Sequence, residues 1–547
     1  MLETPLTFEI TGDGDIMWKA QATSFTRTIE YKKNDGEWTE ITSTTAGTSI
    51  SVVSGDTVQF RGDNAVYSSQ RSGKSNTFSG STAQFNVYGN IMSLVNSTDF
   101  ITATFTGPYA LLGLFLNCTG LTSAHNLILP STSVTQYCYE NMFGGCTNLT
   151  TTPELPATVL SDYCYNGMFY GCTSLVTAPE LPATTVTNCC YNRMFSGCTG
   201  LATAPVLPAT DTAVECYCYM FTKCTSLTTA PELPATTART RCYYGMFQGC
   251  TGLTSAQEIL PAMTLTVSCY RNMFDGCTSL TTAPTISATE VNTECCREMF
   301  RGCTSLSSVQ ASLPAMTLVN DCYRNMFEGC TSLTSAPELP ATTLASSCYY
   351  EMFRGCTGLI TFQQLLPATT LANHCYLRMF HNCTNLTMAP IVSADTLGTN
   401  CCFGMFLNCG KITSVQTVLP ATTLADSCYQ SMFEGCTGLT TAPVLPATAL
   451  TKSCYESMFR KCSNLTGTPE LPATTLAERC YATMFHDCRN INYIKCLATD
   501  ISATNCTYYW VNGVQTTSGT FEKAVGMNDW TSGVSGIPAN WTVQDAS

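Results

Sequence analysis

The sequence is organised around Cys348-Tyr349-Tyr350-Glu351-Met352-Phe353-Arg354-Gly355-Cys356-Thr357-Gly358-Leu359. Variants of this stretch return along most of the chain, with Cys, Tyr, Met, Phe and a second Cys at relative positions 0, 1, 4, 5 and 8. The phenylalanine recurs fifteen times at intervals of 26 to 28 residues, at positions 115, 143, 169, 195, 221, 247, 274, 300, 327, 353, 380, 406, 433, 459 and 485. A fixed period of this size indicates stacked repeats, because one short unit cannot bury its apolar face alone.

Each repeat has the pattern of one short helix followed by one short strand. The five apolar positions fall on one face of a helix of about two turns. The next residues, Thr-x-Leu-Thr-x-Ala-Pro-x-Leu-Pro, favour an extended segment bounded by prolines. The predicted fold is therefore a β/α repeat solenoid, leucine-rich-repeat-like, with about 15 turns of 26–27 residues over residues 101–511. Its structural ladder includes Phe143, Cys146, Cys348, Phe353 and Cys356.

The longer repeats share one substitution. Each 27-residue turn carries Gln where most repeats have the strand proline, at Gln257, Gln310, Gln363 and Gln416. These glutamines are 53 residues apart, which indicates that a two-turn unit was duplicated.

Both ends differ from the repeats in composition. Residues 1–100 alternate apolar and polar side chains around turn signals such as Asn34-Asp35-Gly36, which predicts an immunoglobulin-like β-sandwich that anchors or presents the repeats. Residues 512–547 hold Phe521, Trp530 and Trp541 among Gly, Ser and Asn, and are expected to form an irregular cap over the last repeat.

The composition argues against several classes of function. A net charge of −13 leaves no basic surface for nucleic acid. No stretch approaches the roughly 18 apolar residues of a membrane span, and residues 1–5 lack the features of a secretion signal. We therefore expect neither nucleic-acid binding nor membrane insertion.

The cysteines follow the repeat. Thirty of the 35 occupy two repeat positions, and the others are Cys189, Cys218, Cys296, Cys402 and Cys496. Two cysteines eight apart on a helix would be about 12 Å apart by helical rise, too far for a disulfide. The spacing predicts buried, reduced thiols, leaves open a few disulfides among the five off-register cysteines, and does not match a zinc ligand set.

Catalytic motifs are missing from the sequence. The chain has four histidines, and His374 adjoins Cys375, but that cysteine is a ladder position rather than an activated thiolate. No phosphate loop, HExxH helix or paired carboxylate arrangement is present. The chain is predicted not to be an enzyme and to need no metal or cofactor.

Binding residues are expected where the repeats differ from one another. The position after the repeated Phe and the two before Met vary in charge and aromaticity, which suits protein or glycan contacts but also describes an ordinary solvated face. The candidate residues at these positions are Tyr170, Arg271, Arg301, Tyr350, Arg354, Arg378, His381 and Arg460. The repeated Thr pairs, such as Thr228-Thr229, and the Tyr after each first Cys are interpreted as structural ladders, with sugar or ice binding by the Thr array as the alternative.

The core Met326-Phe327-Glu328-Gly329-Cys330-Thr331-Ser332-Leu333 resembles the BspA-like leucine-rich repeat family of bacterial and protist surfaces. The segments 55–62, 89–94 and 536–542 resemble the flanks of such proteins in gut Bacteroidales and their phages. The resemblance implies attachment rather than catalysis. Since exported members begin with a signal peptide, the start of this chain implies either a trimmed sequence or release by lysis as a virion part.

These observations predict a non-enzymatic adhesion or receptor-binding protein that presents an elongated repeat surface to host or bacterial cell-surface proteins or glycans. The expected location is extracellular, on a cell surface or on a virion. The alternative is a structural virion component, a phage fibre or decoration protein, in which the solenoid is a rigid spacer. Homo-oligomerisation or virion assembly is expected to use the N-terminal domain.

Overall fold

The computed structural model describes residues 2–71, 74–515 and 517–546. The chain forms two compact units, residues 1–262 with 269–280 and residues 263–268 with 281–547. The described strands are β1 Leu6–Gly12, β2 Gly14–Ala20, β3 Thr28–Lys33, β4 Thr39–Thr42, β5 Thr48–Val52, β6 Thr57–Arg61, β7 Asn76–Thr77, β8 Gln84–Asn90, β9 Leu121–Ile128, β10 Thr237–Ala238, β11 Ile259–Leu260, β12 Thr264–Leu265, β13 Thr285–Ile286, β14 Leu365–Leu366, β15 Ile391–Val392, β16 Tyr493–Cys496, β17 Thr520–Lys523 and β18 Thr542–Asp545.

The first unit begins with two sheets that share an aromatic core. One has the order β4-β3-β6-β1-β8-β9 and the other β5-β2-β7. Phe8 of β1 stacks on Phe85 of β8 at 4.5 Å between ring centroids. Phe78 contacts both Phe8, at 4.8 Å, and Trp18 of β2, at 4.9 Å. These buried rings hold the two sheets together through the hydrophobic effect.

The N-terminal sheet runs directly into the repeats. Strand β9 pairs in parallel with β8, and Ser123 on β9 forms a parallel bridge to Thr151 of the next repeat. The stacked aromatic rings also extend from the N-terminal region into the repeats, because Phe78 stacks on Phe115 at 5.6 Å and Phe115 on Phe143 at 5.3 Å. The N-terminal region therefore covers the apolar end of the first repeat, a role that the sequence analysis did not foresee.

The predicted helix in each repeat is wrong. Among the described residues the one helix is the 3₁₀ turn Ile91–Leu94, and the segment from Cys348 to Cys356 is a chain of successive tight turns. A left-handed residue recurs every fourth position, as at Ser347, Glu351 and Gly355 with φ of 56°, 49° and 71°. An α-helix cannot contain such residues at this frequency, because each one reverses its handedness.

Hydrogen bonds of this turn segment alternate between two directions. Within the repeat, the Met352 amide donates to the Tyr349 carbonyl and the Cys356 amide to the Phe353 carbonyl. The intervening residues donate to the next repeat, as from the Phe353 amide to the Met379 carbonyl at 2.9 Å. Backbone groups that a helix would pair internally therefore join neighbouring repeats, which accounts for the stacking without a helical layer.

The strand half of each repeat is also shorter than expected. Most repeats pair there through single parallel bridges, such as Thr177 with Thr203 and Ser335 with Thr361. A second set of bridges follows the Pro-Ala-Thr-Thr motif, as at Thr317 with Thr343. Because proline has no amide hydrogen, the two prolines between these points prevent a longer ladder.

Aromatic rings form two internal ladders in each unit. Phe327, Phe353 and Phe380 stack with centroids 5.6 Å apart and planes within 10° of parallel. Tyrosines such as Tyr349 and Tyr376 stack beside them at 6.0 Å. Both tyrosines are almost fully buried. Burial raises the pKa of their hydroxyl groups well above the ordinary value.

All 35 cysteines are buried and carry free thiols, including the five off-register ones. The thiol of the second repeat position has a specific partner, the carbonyl of the repeated Phe in the preceding repeat. Cys146 donates to Phe115 at 3.0 Å and Cys356 to Phe327 at 3.0 Å. These cysteines therefore act as small apolar side chains that also satisfy a buried carbonyl, a bond that Ala or Val could not make.

The glutamine of each 27-residue repeat accommodates the inserted residue. The Oε1 of Gln363 accepts from the Leu339 amide and its Nε2 donates to the Leu365 carbonyl, both at 2.6 Å. Gln416 makes the equivalent bonds to Val392 and Val418. The side-chain amide thus replaces the backbone partners that the insertion removes.

We expect Gln363→Ala to lower the free energy of unfolding by about 1–3 kcal/mol, because the buried Leu339 amide and the Leu365 carbonyl would lose their partner. Urea denaturation followed by circular dichroism measures the change. Gln430→Ala is the matched control, since the Gln430 side chain has no hydrogen bond within the described part of the chain. Equal effects of the two substitutions would contradict this role.

The second unit ends in a three-stranded parallel sheet, β16-β17-β18. Trp510 continues both aromatic ladders, 6.3 Å from Tyr481 and 6.2 Å from Phe485, and Trp530 stacks on it at 5.6 Å. The C-terminal segment was expected to be irregular, but β17 and β18 repeat the strand positions of the array and their side chains include the fully buried Phe521.

Candidate binding site

Four of the predicted binding residues, all arginines, form ion pairs on the turn segments of the second unit. Arg354 Nη1 lies 3.2 Å from Glu328 of the preceding repeat and 3.1 Å from Glu351 of its own. Arg378 Nη1 lies 3.6 Å from Glu351. Arg301 pairs with Glu298 at 3.3 Å, and Arg460 with Glu434 at 3.3 Å. Some of these ion pairs therefore lie within one repeat, and others join neighbouring repeats.

The arginines keep part of their surface in solvent while they are paired. Arg301, Arg354, Arg378 and Arg460 are each 37–41% exposed, whereas Glu351 is 7% exposed. Partial burial raises the pKa of Glu328, although Arg354 and Arg301 oppose the shift. The carboxylates hold the guanidinium groups in place, and part of each guanidinium-bearing side chain stays exposed to solvent.

His381 belongs to the same cluster. Burial, with Arg354 and Arg378 nearby, lowers its pKa below the ordinary value. Its Nδ1 is buried without a hydrogen-bond partner in the described residues. His381 is therefore neutral at physiological pH and adds an uncharged ring to the charged cluster.

The remaining predicted residues lie in different surroundings. Arg324 covers the ring of Tyr350, with 4.2 Å from its guanidinium carbon to the ring centroid. Arg271 lies 5.5 Å from the ring of Tyr244 in the first unit. Tyr170, also in the first unit, is exposed. The eight candidates thus divide between the two units and do not form a single cluster.

A pocket of about 380 Å³ in the first unit was missed by the sequence analysis. It lies on the turn segments of four repeats and is covered at one side by the N-terminal region. Its lining residues are Arg71, Tyr163, Asn166, Asn192, Arg193, Glu215, Cys218, Tyr219, Arg241 and Tyr244. Several of them stand directly before the first Cys of a repeat, where the bulky side chains of Tyr163, Glu215 and Arg241 were the sequence signal for this surface.

Backbone conformation explains why these side chains project outward. Tyr163, Arg193, Glu215, Tyr219 and Arg241 all have φ between 53° and 61°. Such left-handed residues fall at the corners of the turn segment, between the inward-facing Tyr and Met of the ladders. The pocket is therefore built on rigid corners of the repeat rather than on loops.

The charges in the pocket are unevenly paired. Arg71 Nε bonds to the buried Glu140 at 3.0 Å, and its guanidinium carbon lies 4.1 Å from the centre of the Tyr163 ring. Arg241 lies 3.4 Å from Glu215. Arg193 has no carboxylate within ion-pair distance among the described residues and lies 5.5 Å from the Tyr219 ring centroid. The pocket thus carries a surplus positive charge in an acidic chain.

The threonine side of the repeats is held together by its own hydroxyls. Thr254 Oγ1 donates to the Thr228 carbonyl at 3.1 Å, and Thr466 Oγ1 to the Thr440 carbonyl at 3.2 Å. Bonds of this kind join several repeats to the preceding ones, which agrees with the structural interpretation of the Thr pairs.

Over residues 2–71, 74–515 and 517–546, no group of three or more His, Cys, Asp or Glu side chains is placed to bind a metal ion. Burial raises the pKa of Cys375, the cysteine beside His374, well above the ordinary value. An inactive thiol of this kind offers no nucleophile. The absence of enzyme activity stays a prediction.

Within the part of the chain that the structure describes, no helix has the length and hydropathy that crossing a bilayer requires.

Comparison with known proteins places the repeats in a family. Six overlapping stretches match the family described as BspA type leucine rich repeat region, residues 113–228, 166–295, 212–360, 267–404, 297–439 and 378–512. Comparison with curated proteins gave no match.

Solved structures with a similar arrangement include two bacterial proteins. A leucine-rich repeat protein from Bacteroides ovatus is 17% identical, with a TM-score of 0.35 and coverage of 71% of this chain and 81% of that one. A leucine rich cell surface protein from Faecalibacterium prausnitzii is 16% identical, with a TM-score of 0.31 and coverage of 67% and 86%.

The family match confirms the resemblance drawn from the Met-Phe-x-Gly-Cys-Thr core and the leucine-rich-repeat fold. BspA-like repeat proteins are typically surface proteins, and the family suggests a role in protein interaction or adhesion. Since the matched stretches together run from residue 113 to residue 512, this chain belongs to the BspA-type leucine-rich repeat family.

Proposed function

We propose that this protein is a non-enzymatic adhesion or receptor-binding protein whose turn segments contact cell-surface proteins or glycans. The observation that carries the proposal is the set of ion pairs at Arg301, Arg354, Arg378 and Arg460, because their guanidinium groups are ordered yet partly exposed. Ordered side chains lose little conformational entropy when a partner binds.

Repetition of similar groups along the array would raise the affinity of this surface for a partner. Each repeat offers a few exposed polar groups on a rigid backbone, so that a partner with repeated features can form many weak contacts at once. Simultaneous contacts raise the apparent affinity well above that of one contact. Such a protein would work outside the cell, on a cell surface or on a virion.

Cell binding by the full-length chain tests the proposal. We expect saturable binding to intact gut Bacteroidales cells or to members of a glycan array, and binding at least about tenfold weaker when Arg301, Arg354 and Arg460 are together changed to Gln. The matched control changes Lys33, Arg61 and Arg239 to Gln, which removes the same charge from ion pairs outside the turn segments.

Two results would count against the adhesion role. Binding that both triple variants retain would remove this arginine surface from recognition. Absence of binding to any cell or glycan, together with recovery of the chain in purified phage particles, would favour the structural virion role, in which residues 1–100 dock and the repeats act as a spacer.

A further inference from the structure

We propose that the pocket in the first unit binds a saccharide that bears a carboxylate, such as a uronic or sialic acid residue of a surface glycan. This inference rests on the proposed binding function and names a ligand class for one site. It concerns a different place from the arginine cluster of the second unit, so that each can be tested without the other.

The size and walls of the pocket suit a sugar. A volume of about 380 Å³ is in the range of small-ligand sites and holds one or two sugar rings. Tyr219 and Tyr244 offer aromatic rings on which the C–H face of a sugar can pack, whereas Arg71 and Tyr137 cover the ring of Tyr163. Asn166 and Asn192 each supply an amide that both donates and accepts, which matches the hydroxyl groups of a sugar.

The charges select an acidic sugar over a neutral one. Two of the three arginines are already engaged, Arg71 by Glu140 and Arg241 by Glu215. Arg193 is the guanidinium without a carboxylate partner among the described residues. A carboxylate on the ligand would give Arg193 the two parallel hydrogen bonds that guanidinium and carboxylate groups form best.

Glu215 holds the side chains of Arg241 and Asn192 in the pocket. Its Oε1 lies 3.4 Å from Arg241, and its Oε2 accepts from the Asn192 amide at 3.4 Å. The carboxylate therefore holds two of the side chains that would contact the ligand. The same negative charge repels a second anionic group, so that the pocket favours a saccharide with a single carboxylate.

Arg193→Asn is the decisive variant. Residue 193 has φ of 56°, and other repeats place Asn at the equivalent left-handed position, as at Asn141 and Asn325. The substitution therefore removes the guanidinium without straining the backbone. The control is Arg324→Asn. Other repeats have Asn at the position of Arg324, as at Asn166 and Asn192, so this substitution is also compatible with the repeat. Arg324 lies in the second unit, is not one of the pocket residues and is paired with Asp321.

Binding is measured on the full chain by isothermal titration calorimetry and ligand-observed NMR with N-acetylneuraminic acid and glucuronic acid. The comparison compounds are methyl glucuronate, the uncharged ester, and acetate, the anion without a sugar. We expect the two acidic sugars to bind, with affinity about tenfold to a hundredfold lower in Arg193→Asn and unchanged in Arg324→Asn. Thermal unfolding of both variants verifies that they are folded.

If glucuronic acid and its methyl ester bound with equal affinity, the proposed role of the carboxylate would be overturned. If acetate bound as tightly as the acidic sugars, the proposal of a saccharide ligand would be overturned. No binding of either acidic sugar at millimolar concentration would overturn the site itself. Failure here with cell binding intact leaves the proposed function standing. Loss of cell binding in the Arg301, Arg354 and Arg460 variant with sugar binding intact would affect only the arginine cluster.

Discussion

Raising the pH from about 8 to about 10 is expected to unfold the protein over a narrow range, because ionisation of the buried thiols favours the unfolded chain. Burial raises the thiol pKa from an ordinary 9.0 to about 12 at ten repeat and cap positions, Cys118, Cys164, Cys198, Cys250, Cys348, Cys356, Cys409, Cys454, Cys488 and Cys496. Most other ladder thiols are shifted in the same direction, for example Cys146 and Cys330.

The direction of the effect follows from the two protonation states. Below pH 9.0 the thiols are protonated whether the chain is folded or not, so their burial stabilises the fold fully. Between pH 9.0 and about 12, the unfolded chain releases thiol protons that the folded chain keeps. Stability is therefore lost as the pH rises through this window.

The size of the effect comes from the number of thiols. One such thiol lowers the free energy of unfolding by about 1.4 kcal/mol for each pH unit above its unfolded pKa. Ten of them reach about 10–14 kcal/mol within one unit, which equals the whole stability of a typical domain, about 5–15 kcal/mol. The stacked tyrosines act in the same direction at higher pH, since their pKa values are also raised.

Far-ultraviolet circular dichroism across this pH range, recorded with reductant present, measures the transition. Thiolate absorbance should appear at the same pH at which the dichroism is lost, since the thiols ionise only on unfolding. Added salt is the control, because it screens general charge repulsion but has little effect on the burial of neutral thiols. Thiolate formation in a chain that keeps its folded spectrum would contradict the interpretation.

The repeat period could be predicted from the sequence, but the backbone conformation of each repeat could not be predicted from the apolar positions alone. Cys348, Tyr349, Met352, Phe353 and Cys356 occupy one face in a helix and also in the observed turns, because both structures return to the same face after about four residues. What separates them is the left-handed corner, whose clearest sign is the recurrent Gly at positions such as Gly355. The spacing of exactly four residues, rather than a helical alternation of three and four, carries the same information.

Binding residues were harder to predict for a related reason. The predicted binding residues were the variable ones around Met and Phe, such as Arg354 and Arg378, because those positions differ between repeats. The corners of the observed turns also face outward, which adds Tyr163, Glu215 and Arg241 to the surface. Arg71 could not be assigned from any repeat pattern, since it comes from the N-terminal region and reaches the pocket only in the folded chain.

Phe353→Ala is expected to lower the free energy of unfolding by about 3–5 kcal/mol, the cost of emptying a fully buried aromatic site. The ring lies between Phe327 and Phe380, each 5.6 Å away, and Phe362 meets it edge-on at 5.7 Å. Backbone bonds to the following repeats hold Phe327 and Phe380 in place, so these rings cannot move together to fill the cavity.

The substitution is also expected to destabilise particular repeats and not the whole array. Because each repeat contacts mainly its neighbours, the cavity should weaken the two repeat junctions beside it and leave distant repeats protected. Hydrogen exchange detected by mass spectrometry would show faster exchange around Phe353, and urea denaturation would give the energy. Phe403→Ala is the matched control, since Phe403 is only half-buried beside Arg378 and should cost about 1 kcal/mol. A similar loss in both variants, or uniform exchange along the chain, would show that the phenylalanine ladder does not hold the repeats together.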